Sequence, residues 1–132
     1  MNTRATGLLE LESWNEESCS EADGQTTLAR ARVTQTLSGD IEGESQLEVL
    51  LFYHADGTAS SVGLEHVVGR VGNRAGSFIL EHSGTLEDGV AKANFSVVPG
   101  SGTHDLDGLR GRGWFVRPRG QRGSLTLDYH FD

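Results

Sequence analysis

The chain has one cysteine, two prolines and no long apolar run, and each shortage removes a class of protein. A lone Cys19 rules out a disulfide framework and a cysteine zinc site, and leaves a thiol in a polar stretch. No segment approaches the roughly 20 consecutive apolar residues of a membrane helix. The first residues, MNTRATGLLELESW, lack the apolar core of a signal peptide. A soluble, cytoplasmic protein without a membrane partner is expected. Cations are also scarce: 11 Lys and Arg face 19 Asp and Glu, for a net charge of -8. That balance argues against nucleic-acid binding, which needs cations to replace counterions.

Catalytic signatures are missing as well. There is no G-x-S-x-G elbow, Walker loop, dinucleotide fingerprint or H-E-x-x-H motif. His54, His66, His82, His104 and His130 show no zinc-ligand spacing. Neither a metal nor another cofactor is implied.

Glycine is abundant, at 18 of 132 residues, and it is scattered without a collagen period. It punctuates segments in which apolar and polar residues alternate, the pattern of half-buried strands. Strands are expected over residues 7–14, 28–37, 41–54, 58–71, 76–86, 90–98, 112–118 and 124–131. Residues 15–27 are polar and read as a long loop able to act as a lid; residues 99–113 read as irregular. No segment shows a 3.6-residue apolar period. The expected fold is all-β: one domain over residues 1–132, an eight-stranded antiparallel up-and-down β-barrel, with a two-sheet sandwich as the alternative. A barrel removes exposed edges, and eight strands enclose either packed side chains or one small ligand.

The turns set the register. A three-residue Ala55-Asp56-Gly57 turn with a glycine bulge places Leu47 opposite Glu65 and Leu51 opposite Ser61. The Asp88-Gly89 turn places Leu80 opposite Val97 and His82 opposite Phe95. Read as a four-residue loop, Gly72 to Ala75 pairs Val71 with Gly76, Gly69 with Phe78 and Glu65 with His82. The inner face then carries Gln35, Tyr53, Ser61, Glu65, His82, Phe95 and Tyr129 among apolar neighbours. Reversing the faces would substitute a His66–Glu81 pair.

Glu65 and His82 admit two readings. One is a satisfied polar pair that fixes the barrel. The other is acid–base chemistry, because burial raises a carboxyl pKa and a neighbouring imidazole tunes it. In that second reading Glu65 transfers the proton, His82 tunes it and Tyr53 steadies an oxyanion. Gln35 and Ser61 contact substrate, Phe78, Phe95 and Tyr129 line the wall, and Trp14 sits near the mouth. The arginines at 110, 112, 117, 119 and 122 read as a solvated outer face paired with acids.

Several strings recur in order: Gly39-Asp40-Ile41-Glu42-Gly43; Asp56-Gly57-Thr58-Ala59 leading to Val62-Gly63-Leu64-Glu65; and Gly76-Ser77-Phe78 followed by Glu81-His82-Ser83-Gly84-Thr85. They are joined by Glu87-Asp88-Gly89, the run from Val97 to Thr103, and Leu127-Asp128-Tyr129. Together they resemble the bacterial family called domain of unknown function 3224, over residues 5–131. That family is similar in fold to the allene oxide cyclase β-barrel, so the resemblance implies a barrel with a central cavity. It assigns no reaction, and no catalytic motif of the plant cyclases carries over. The expected function is a barrel binding a small hydrophobic molecule, as a cofactor-independent cyclase or isomerase on a natural-product or lipid-like substrate. The alternatives are a lipocalin-like carrier or sensor, and a filled barrel acting through its surface. Related barrels often form homo-oligomers, for which Val62, Leu64, Val68 and Ile79 supply the candidate outer face.

Overall fold

Alternating inward and outward side chains need a sheet with two different faces, and the chain closes that sheet on itself. The computed structural model describes residues 2–22 and 24–132. Its eight strands are β1 (Thr3–Ala22), β2 (Gln25–Gly39), β3 (Ile41–Tyr53), β4 (Ala59–Val71), β5 (Arg74–Glu87), β6 (Val90–Val97), β7 (Leu109–Arg117) and β8 (Gly123–Phe131). Each pairs antiparallel with its neighbour in sequence, and β1 pairs with β8 to complete one closed barrel rather than a sandwich. On the outside of that seam, Arg4 donates to both carboxylate oxygens of Asp128, at 2.8 and 3.0 Å. The guanidinium's hydrogen bond holds the Asp128 carboxyl below its ordinary range.

Two of the three hairpin registers expected from the turns are found. Leu47 faces Glu65 and Leu51 faces Ser61; Leu80 faces Val97 and His82 faces Phe95. The β4–β5 register differs. Its turn has two residues, Gly72-Asn73, with Gly72 at φ 59°, so Val71 pairs with Arg74. Glu65 therefore faces Leu80, His82 faces Gly63, Gly69 faces Gly76, and His66 faces Ile79 rather than Glu81. The slip is two residues, and an even slip leaves every side chain on its own face.

The polar stretch 15–27 is a second departure. Residues 15–22 continue β1 and residues 25–27 begin β2, so the segment is a hairpin extension of the wall rather than a loop folded over the mouth. A bulge between Leu11 and Ser13 resets the alternation of β1. Beyond Leu9 this strand has no backbone pairing on its β8 side among the described residues.

The end opposite that hairpin is sealed. β6 stops at Val97, which leaves the edge of β5 before Leu80 without a strand partner. The following connection supplies one: Ser77 N–H donates to Thr103 Oγ1, Ile79 N–H donates to Ser101 Oγ, and Thr103 N–H donates to the Ser77 carbonyl. A 3₁₀ turn, His104–Leu106, then inserts Leu106 with no exposed surface into the base of the barrel. Residues 99–113 are thus a plug followed by the start of β7. Gly113 on β7 lies so close to β8 that a Cβ would overlap the Thr126 carbonyl oxygen.

Leu106→Ala should cost about 2–5 kcal/mol by removing a buried side chain that the rigid wall cannot collapse to replace. Urea denaturation monitored by tryptophan fluorescence would measure it.

Candidate functional site

Two apolar clusters fill the barrel. The lower one, including Leu9, Ile41, Val67, Phe78, Leu80, Phe95 and Leu127, rests on Leu106. The upper one comprises Ala31, Val33, Leu47, Val49, Leu51 and Ala59, with Trp14, Tyr53 and Leu86 against it. The buried polar residues Gln35, Ser45, Glu65 and His82 accompany these clusters.

Each buried polar side chain is placed by strand parity. Glu65 lies two residues before Val67 on β4, and His82 two residues after Leu80 on β5; both are 4% exposed. The backbone opposite His82 is Gly63, which has no side chain, so the imidazole can lean diagonally toward Glu65. Its Nε2 lies 2.6 Å from Glu65 Oε1. With Glu65 ionised, the shared proton sits on Nε2 and Nδ1 is the free end of the ring. Gln35 Nε2 donates to Glu65 Oε2 at 3.4 Å, and Arg117 Nη1 donates to Gln35 Oε1 at 3.4 Å. The result is a polar chain, Arg117–Gln35–Glu65–His82, running across the barrel wall from β7 to β5. Among the described residues, His82 Nδ1 and Ser45 Oγ have no hydrogen-bond partner.

Arg117 corrects the expectation of a solvated arginine face. It lies two residues beyond Phe115 and points inward, with its guanidinium 5.8 Å from the Trp14 ring centre. Burial draws its pKa below the ordinary value for arginine. Arg110 and Arg122 do face acids, at 2.7 Å from Asp132 and 3.9 Å from Glu10.

The expected site residues do not all meet. Gln35, Glu65, His82, Phe78 and Phe95 surround one central space, with Phe115 added to the wall. His82 packs against Phe95 and Phe115 at ring-centre distances of 5.3 and 5.6 Å. Tyr53 and Trp14 lie instead at the upper rim, where both donate to Glu16, at 2.6 and 2.9 Å. Ser61 is half-buried near the rim, and Tyr129 packs against Phe131 toward the sealed end. Ser45, Phe115 and Arg117 were not expected. All three follow from strand alternation: Ser45 precedes Leu47 by two, and Arg117 follows Phe115 by two.

The central space measures about 10 Å³, room for one water, whereas drug-sized ligands occupy sites of about 300–1,000 Å³. Among the described residues no group of three or more His, Cys, Asp or Glu is arranged to hold a metal. The fold and its centre define a closed eight-stranded antiparallel β-barrel, filled by its own side chains around a buried carboxylate–imidazole pair.

The chain belongs to the family described as proteins of unknown function, DUF3224, whose model matches residues 5–129. A crystal structure of a DUF3224 protein with unknown function from Shewanella oneidensis MR-1 is similar to it. The two share 31% identity and a TM-score of 0.82, over 100% of this chain and 98% of that one. No curated protein matches the chain.

Two outcomes follow from this geometry. His82→Phe should cost about 3–5 kcal/mol because it leaves a buried carboxylate poorly partnered, while Glu65→Leu combined with His82→Phe should recover most of that loss. A double-mutant cycle in urea measures both. Burial, reinforced by the hydrogen bond to Glu16 and its charge, pushes Tyr53 up to about 12. A phenol raised in this way favours the folded state below the ordinary tyrosine range, and that contribution disappears as pH rises through about 12. Absorbance titration at high pH should show Tyr53 ionising late, and Glu16→Gln should bring it down.

Proposed function

We propose that this protein acts through the outer surface of a filled barrel. The observation that carries the reading is a contrast of spaces. The interior offers about 10 Å³, while an open groove of about 810 Å³ runs over the outside of β2 to β5. The groove is lined by Leu50, Val62 and Leu64, large apolar side chains that a solvated wall would not need. In this reading Glu65 and His82, bonded to each other at 2.6 Å in the core, specify how the strands pack.

A second reading is favoured by one observation, the unpartnered Nδ1 of His82 beside the central space. Here the barrel takes a small hydrophobic molecule and runs a cyclisation or isomerisation, with Glu65 as the proton carrier and Gln35 orienting the substrate. Likeness to the allene oxide cyclase barrel belongs with this reading. It requires Trp14 and Arg117 to swing away from the upper rim.

Native mass spectrometry of protein purified gently from its own host separates the two. The outer-surface reading expects the mass of the protein without a stoichiometric small molecule. A bound hydrophobic molecule that Glu65→Gln or Phe95→Trp removes would overturn it in favour of the second.

A further inference from the structure

We infer that the outer wall over β5 to β7 carries a site for a neutral oligosaccharide, in which the indole of Trp114 stacks on a pyranose ring. The inference goes beyond the outer-surface reading, since a sugar held there is compatible with a filled interior or an occupied one.

Strand alternation builds the site. On the outside of the barrel Ser83, Asn94 and Trp114 stand side by side on β5, β6 and β7, and Thr85, Lys92 and Val116 form the next row. The rows are two residues apart along the strands, about 7 Å. They line an open groove of about 460 Å³, within the size range of small-ligand sites. Its floor is main chain, because Gly84 has no side chain and those of Ala93 and Phe115 turn inward. Trp114 forms one wall and is 42% exposed. From β1, Arg4 lies 5.5 Å from the indole centre and is itself held by Asp128 at 2.8 Å. The ring is thus braced from the side of β8 while it lines the groove.

The lining selects the ligand. Elsewhere the outer wall is rich in paired charges: Arg32 with Glu48 and Arg70 with Glu42, at 2.7 and 2.8 Å. A groove over β2 to β5 is lined by Arg32, Glu48 and His66. The groove at Trp114 instead has one charged residue, Lys92, beside two hydroxyls and an amide. A single ammonium on a chain of net charge -8 makes a poor anion site or nucleic-acid track. An aliphatic ligand would cover the hydroxyls and the amide without partners, at a cost in free energy for each. A pyranose meets both demands. Its C–H groups present a weakly positive apolar face to the negative face of the indole. Its hydroxyls donate and accept, and the Asn94 amide, with a carbonyl and an NH2, can hold two neighbouring ones. Ser83 and Thr85 lie two strand spacings from Trp114, about 10 Å, so a chain of rings rather than a single one spans the site.

Calorimetric titration of the full chain with neutral hexasaccharides (cello-, xylo-, malto-, manno- and chito-series) tests the inference. At least one series should bind, with the same affinity at low and high salt because the contacts are uncharged. Trp114→Ala should weaken binding about tenfold through loss of the stack, and Asn94→Ala about fivefold through lost hydrogen bonds. Trp114→Tyr keeps an aromatic face and should recover part of the loss, which separates a lost stack from a folding defect. Phe52→Ala removes another exposed aromatic, on β3, and should leave binding unchanged. The inference is overturned if no series binds or if binding persists undiminished in Trp114→Ala. It is also overturned if binding falls with salt, which assigns the groove to an anion at Lys92. None of these outcomes touches the outer-surface reading, which stands or falls on the native mass.

Discussion

The pairing of Thr3–Leu9 on β1 with Tyr129–Gly123 on β8 converts a meander of hairpins into a ring. Before that seam forms, the sheet has two open edges and both of its faces can be wetted. Afterwards one face has no route to water except through the ends, and every inward residue must find its partners inside. The inner row is therefore almost wholly aliphatic or aromatic, with glycine where strands press together. Of the polar residues that face inward, Arg117, Gln35, Glu65 and His82 are drawn into a single chain of contacts, while Ser45 stands apart from it. Closure also fixes the volume. Eight strands enclose a width that side chains can bridge, and with Phe78, Phe95 and Phe115 projecting into the lower half little room remains.

The ends of the barrel are finished differently, and the difference places the polar chain. At the base, the connection after β6 lends its Ser101 and Thr103 side chains to the unpaired edge of β5 and drops Leu106 into the opening. Among the described residues the rim has no such plug. Trp14, Tyr53 and Arg117 close it, tethered by Glu16 and Gln35. Long, partly solvated side chains thus form one boundary of the interior, and a backbone-anchored plug forms the other.

Much of the architecture is written in the chain as alternation and turn chemistry. Asp88-Gly89 sets its register because both residues take positive φ, 51° and 79°, the twist a two-residue hairpin turn requires. Gly72-Asn73 carries a comparable signal, since a glycine at the first turn position permits a two-residue loop. Reading four residues there moves the pairing by two. The Glu65–His82 contact survives that error because parity, not register, decides which face a side chain occupies. What was hard to see has physical causes. Residues 15–22 lack an apolar face because they extend past the barrel, so no inner row marks them as a strand. Arg117 resembles its charged neighbours in sequence, and only its spacing from Phe115 reveals that it points inward. The emptiness or fullness of the interior is a matter of summed side-chain volume against strand geometry, which no local pattern encodes.

The unpaired side of β1 beyond Leu9 exposes a ladder of backbone donors and acceptors, the usual template for uncontrolled strand addition. That stretch carries Glu10, Glu12, Glu16, Glu17 and Glu21 and no lysine or arginine. A second molecule bringing the same strand alongside would set carboxylate against carboxylate along the whole length. Part of the chain's acidic excess therefore lies along a long edge that closure of the ring leaves open, where like charges oppose strand addition.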